Sequence, residues 1–173
     1  MKQSFQQRLE KGEEIEYAIL GIIKKKYPKA YKISGYYPDY DLYVPEKKMG
    51  VEVKYDSNAT QTGNYLIDIE HNGKPHGLAT TKAHLWVIWD NVKLLYIPPQ
   101  AIWECIKENN IEIKELNGNS MSDDVKKIYL IPCNMLKKYD YLSGQKKFIT
   151  KVRKYFPADE WQIINTEKEN RQI

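Results

Sequence analysis

The chain has 173 residues, 42% of them hydrophobic, and a formal net charge of +4. That length suits one domain, and that apolar fraction excludes a disordered chain. The longest apolar runs, such as Leu85 to Trp89, fall far short of a membrane span, and "MKQSFQQRLEKGEE" at the start has no apolar stretch of signal-peptide type, so a soluble, cytoplasmic protein without a membrane partner is expected.

Cys105 and Cys133 form no CxxC pair and imply no disulfide framework; each reads as a small apolar residue. The mild positive charge is compatible with a polyanionic partner without being evidence for one.

In chain order, residues 4–26 are the first predicted helix. Phe5, Leu9, Ile15, Ile19, Ile22 and Ile23 recur at helical spacing, and "KKKYP" closes the segment with cations and then Pro28. Short strands are predicted at 31–34, 40–44 and 49–55, then at 65–70. "HNGKPHG", 71–77, reads as a turn-rich loop, and its histidines have no zinc spacing with a cysteine. "HLWVIW" and "KLLYIP" read as a hairpin through Asp90-Asn91, and "PPQAIWECIKENN" as a helix with prolines at its first turn. Strands at 111–114 and 128–131 and a helical end complete an α/β (α+β) domain spanning residues 1–173, with a core of about 5–97 and a C-terminal extension of about 98–173.

Two neighbouring stretches carry chemistry. "PEKK", 45–48, fits a hairpin loop between "PDYDLYV", 38–44, and "MGVEVKYD", 49–56. Pairing Val44 with Met49 puts Leu42, Val44, Met49, Val51 and Val53 on one face. It puts Asp41, Tyr43, Gly50, Glu52 and Lys54 on the other, with Asp41 facing Glu52 and Asp39 opposite Lys54. Facing carboxylates roughly 4.5–5.5 Å apart at Cβ repel and call for a cation, and Mg²⁺ is suited because it uses one or two carboxylates and keeps waters. The plain alternative is an exposed hairpin with scattered charges.

On the first helix Glu16 falls inside the apolar stripe, with Gly12 one turn earlier and Arg8 on the same stripe. A carboxylate there is rare unless used, and Gly12 would permit close approach of a chain or ligand. The alternative places Glu16 at the stripe edge, reaching water.

A helix with a Glu, in "KGEEIEYAIL", then an Asp, in "PDYDLYV", then Glu-x-Lys, in "VEVKYD", resembles the PD-(D/E)XK nuclease superfamily. The likeness covers roughly residues 5–90. "TGNYLIDIEHNGKPHGLATTKAHLWVIW" is similar to a segment of its phage-type members, and Holliday-junction resolvases are a related group. The resemblance implies a restriction-endonuclease-like αβββαβ core with a mixed central sheet flanked by helices, and a C-terminal helical extension beyond it. It implies DNA as partner, hydrolysis of phosphodiester bonds, and Mg²⁺, replaceable by Mn²⁺. Asp41, Glu52 and the backbone carbonyl of Val53 would hold the metal, Lys54 would orient the attacking water or neutralise the phosphate, and Glu16 would support them. Asp39 competes with Asp41 for the first acid, Glu13 with Glu16, and Glu70 on the strand at 65–70 is a further candidate. The likeness also allows a homodimer. A catalytically inactive nuclease-fold module binding nucleic acid or a protein is the alternative.

Thr81 and Lys82 are candidates for phosphate contact or for capping a turn. "LKKYDYLSGQKKFITKVRKYF", 136–156, interleaves cations with aromatics, as suits a groove tracking a nucleic-acid backbone. Lys146, Lys147, Lys151 and Arg153 are its candidate contacts; a solvated helical face is the bland reading.

Overall fold

Isoleucines at helical spacing give α1, Phe5–Lys26, a single buried stripe: Ile15, Ile19, Ile22 and Ile23 are all covered. The computed structural model, which describes residues 5–118 and 123–140, trims the expected stripe at one end. Leu9 is 52% exposed, Ile15 is the first buried residue among those whose side chains are described, and a side chain at Gly12 would meet nothing within 4 Å. The close approach expected at Gly12 is absent among the described residues.

The strands that follow are β1 (Tyr31–Lys32), β2 (Leu42–Val44) and β3 (Met49–Tyr55). After a short helix α2 (Ala59–Thr62) come β4 (Asn64–His71), β5 (Lys74–Pro75), β6 (Leu85–Trp89) and β7 (Leu94–Ile97). Then come α3 (Pro99–Glu108), β8 (Lys114–Asn117), β9 (Val125–Pro132) and α4 (Cys133–Leu136). The fold is α+β with a mixed five-stranded sheet in the order β1-β2-β3-β6-β7, in which only the β3–β6 pair is parallel.

The β2–β3 hairpin has the expected register, Leu42 with Val51 and Val44 with Met49. It turns through a 3-10 segment at Pro45–Lys47 and Lys48 at a left-handed φ of 50°. Parallel strands need a crossover, and a helix is expected there. Here the connection from β3 to β6 holds only the one-turn α2 and a 3-10 turn at Gly77–Ala79, and β4 leaves for a second sheet, ordered β5-β4-β9-β8. The strand expected at 111–114 starts at Lys114, and β9 extends further than the expected 128–131.

The β6–β7 half of the five-stranded sheet is buried on both faces. Against α1 lie Leu42, Val44, Met49, Val51, Val87 and Trp89. On the opposite face Trp86 and Ile88 join Tyr65 and Ile67 of β4, Ile102 and Cys105 of α3, and Ile131 of β9. Residues 98–118 and 123–140 therefore share a core with the rest, β8 and β9 stand where strands were expected, and the helical end beyond residue 140 lies outside the described residues. Cys105 and Cys133 are free thiols. No helix among the described residues is long and apolar enough to cross a membrane.

Candidate active site

β3 changes character along its length. Met49, Gly50 and Val51 are buried, whereas Glu52 to Tyr55 are half-buried. Its side chains alternate, so Val51 and Val53 join the α1-side core while Glu52 and Lys54 lie beside Trp86 and Ile88 of β6, their parallel partners. Lys54 Nζ sits 5.1 Å above the Trp86 ring and 2.6 Å from Glu52 Oε1.

Asp41 falls just outside the paired part of β2. Its N–H donates to Val51 C=O at 3.0 Å, and its Oδ2 accepts the Val53 N–H at 2.7 Å. The acid expected to face Glu52 across the ladder thus reaches over the end of β2 onto the β3 backbone. A strand residue's N–H and C=O point to the same edge, so the Val53 carbonyl is aimed to the side where Asp41 lies. Glu16 pairs with Lys32 of β1 at 2.7 Å.

These five charges interact. Burial, then the negative charge of Glu52, hold the Asp41 carboxyl above its ordinary pKa, against the Val53 N–H and the cations Lys54 and Lys32. Burial also raises Glu16; its bond to Lys32 opposes this and the Asp41 charge adds to it. The arrangement places three carboxylates and two ammonium groups about the end of the β2–β3 hairpin. Among the described residues no three His, Cys, Asp or Glu side chains form a ready-made metal cage.

The other expected residues are engaged elsewhere. Asp39 pairs with Lys82 at 3.2 Å. Glu13 is exposed on α1 and acts on Glu16 and Lys32 only through its charge. Glu70 pairs with Lys127 at 2.9 Å in the second sheet, where a register shift between Asp68 and Glu70 breaks the alternation on which its placement rested. Thr81 Oγ1 accepts the Trp86 indole N–H at 3.1 Å and the Ala83 N–H at 3.2 Å, so it holds the ring beneath Lys54. Lys146, Lys147, Lys151 and Arg153 lie outside the described residues.

Sequence reasoning passed over several groups. Lys32 is the partner of Glu16, but a lysine on a two-residue strand carries no local signal. A cleft of about 430 Å³ opens where β3 leaves the sheet, lined among others by Lys54, Asp56, Tyr65, Asp68 and Lys126. In it Asp68 Oδ1 is buried with no hydrogen-bond partner among the described residues. Asp56 spends both oxygens on backbone, accepting the Asn58 and Leu66 N–H groups, and so ties β3 to β4. The mid-strand glycine Gly50 was a readable signal: a side chain there would strike the ring of Tyr40, which covers it.

Comparison with family models, with curated proteins and with solved structures finds no match.

Proposed function

We propose that the protein is a metal-dependent nuclease that hydrolyses DNA phosphodiester bonds at the Asp41–Glu52–Lys54 centre. The observation that carries this reading is the seat of Asp41 on the Val53 N–H, one residue along β3 from Glu52: a half-buried carboxyl, pushed up by burial and by a second carboxylate, is what a divalent cation would relieve. Two carboxylates and the Val53 carbonyl fit the modest protein ligand set of Mg²⁺, which keeps waters and substrate oxygens on its remaining positions. Mn²⁺ suits the same oxygen donors. When bound, the ion supplies a water acidified for attack and positive charge at the phosphate.

The chain's own groups do the rest. Lys54, held over Trp86, offers an ammonium that can orient water or balance charge on the phosphate. Glu16, neutralised by Lys32, keeps the helix side of the site from adding a full negative charge. The restriction-endonuclease-like core and the PD-(D/E)XK membership belong to the same proposal, supported by the helix–hairpin order of the acids.

One observation favours a second reading, a non-catalytic nucleic-acid-binding module. At 2.6 Å Glu52 and Lys54 satisfy each other, as charges in a retired site would. A panel of labelled linear, branched and single-stranded DNAs with Mg²⁺ or Mn²⁺, run beside Glu52→Ala, separates the two. Cutting should need the metal and fall by roughly a hundredfold or more in the variant, the scale of removing one preorganised electrostatic group. Tight binding without cutting under either metal would establish the module instead.

A further inference from the structure

The loop between β1 and β2 is pinned at its ends. Ile33 N–H donates to Asp41 C=O at 2.9 Å, and the Asp39–Lys82 pair holds its far side. On this loop and its flanking strands four tyrosines form a continuous run of ring contacts. Tyr31 meets Tyr43 with ring centroids 5.9 Å apart, Tyr43 stacks with Tyr40 at 5.8 Å and 20° between planes, and Tyr40 meets Tyr37 edge-on at 5.3 Å. Tyr36 precedes Tyr37 in the same loop and is 96% exposed, with Tyr31 at 47% and Tyr37 at 43%. Tyr40 lies over Gly50, two residues before Glu52 and on the same face of β3, so the run leads directly to the acids.

Exposed aromatic rings gathered in one place mark a binding surface rather than scattered surface residues. We propose that this tyrosine run is a stacking platform for unpaired nucleobases, so that the substrate carries a single-stranded segment next to the scissile phosphate. The inference rests on the DNA reading above and adds the form of the substrate. The ring separations are already contact distances, which leave no room for a base between rings. Bases would therefore cover the outer faces of Tyr36, Tyr37 and Tyr31. A duplex keeps its base faces inside the stack, whereas a splayed strand offers neutral π-faces to exposed rings.

The test is fluorescence anisotropy in EDTA, where metal-dependent cutting cannot occur. The probes are a labelled oligo-dT and a blunt hairpin duplex of equal length. The unmodified chain should prefer oligo-dT. The pair Tyr36→Ala and Tyr37→Ala should bind oligo-dT roughly tenfold more weakly or worse, with duplex affinity unchanged. The pair Tyr36→Phe and Tyr37→Phe should stay close to the unmodified chain, because stacking needs the ring and not the hydroxyl. Thermal melting checks that both pairs fold. No preference for oligo-dT, equal losses on both probes, or a Phe pair as weak as the Ala pair would overturn the inference. Tyrosine-dependent binding with no cutting under metal would leave the platform standing and remove the nuclease reading; cutting with no tyrosine dependence would do the reverse.

Discussion

β3 and β6 run parallel and in register from Val51–Leu85 to Tyr55–Trp89, yet they are different kinds of strand. β6 is buried along all five residues, with α1 on one side and the second sheet and α3 on the other. β3 is buried only for its first three residues; Glu52 is half-buried, and from Lys54 onward the strand lines the cleft. Side by side, Glu52 has Trp86 as neighbour and Lys54 has Ile88. A strand covered on both faces can be a plain apolar run, whereas a strand at the lip of a cleft can hold charges if they compensate one another. The difference lies in what covers each strand rather than in its backbone.

The largest effect expected from breaking this comparison is on the β6 side. Trp86 is buried, donates to Thr81 and supports Lys54, so Trp86→Ala removes a large packed ring and leaves Thr81 and Ala83 loosened. Equilibrium denaturation should show a loss of about 3–5 kcal/mol, the usual range for a buried aromatic cut to alanine. A loss near 1 kcal/mol would mean that the layer over β6 collapses onto the gap and that β6 is not the rigid member of the pair.

Much of this was legible in the sequence, and the failures are specific. The hairpin register followed from alternation, because a one-residue slip would have sent Leu42, Val44, Met49 and Val51 to the wrong face. The α1 stripe followed from its period, except at Leu9, where periodicity continues but no partner layer does. Asp39 and Asp41 could not be separated by alternation, because the ladder ends at Leu42. Their surroundings differ through a bend that carries Asp41 onto the Val53 N–H and a lysine forty-three positions along that pairs with Asp39. The departure of β4 to a second sheet left no trace either, since a strand's pattern shows which face is covered but not by which neighbour. Lys32 reaches Glu16, and Asp68 reaches the cleft beside Lys54, through tertiary contacts that no local spacing encodes.

A middle-sized effect is expected at Asp41, where the open half of β3 meets its compensating charges. A carboxyl whose folded pKa lies above its unfolded value holds its proton more tightly when folded. Stability therefore falls as pH rises from the ordinary carboxylate range through the raised value, and the deficit persists above it. Asp41→Asn keeps an oxygen for the Val53 N–H and removes the charge, so at neutral pH without metal it should melt above the unmodified chain, with the gap closing as pH falls. Mg²⁺ at saturating concentration should raise the melting temperature of the unmodified chain, by roughly 2–4 °C for each kcal/mol of linked binding, and should leave Asp41→Asn unmoved. Equal Mg²⁺ shifts in both proteins would place the ion elsewhere.

The smallest effect on folding should come from the contact that looks strongest. Glu52 and Lys54 lie at 2.6 Å, but their side chains are 18% and 38% exposed, so solvent screens much of the attraction. Glu52 also raises Asp41, so its charge carries a penalty that offsets part of the pairing. A double-mutant cycle with Glu52→Gln and Lys54→Met, both close in shape to the originals, should give a coupling energy below about 1 kcal/mol by denaturation. A weak pair is easily exchanged for a metal and a phosphate, which is what a site needs and a structural ion pair does not. Coupling of about 2 kcal/mol or more would make the Glu52–Lys54 contact part of the scaffold, and β3 would then differ from β6 only in the chemistry of its packing.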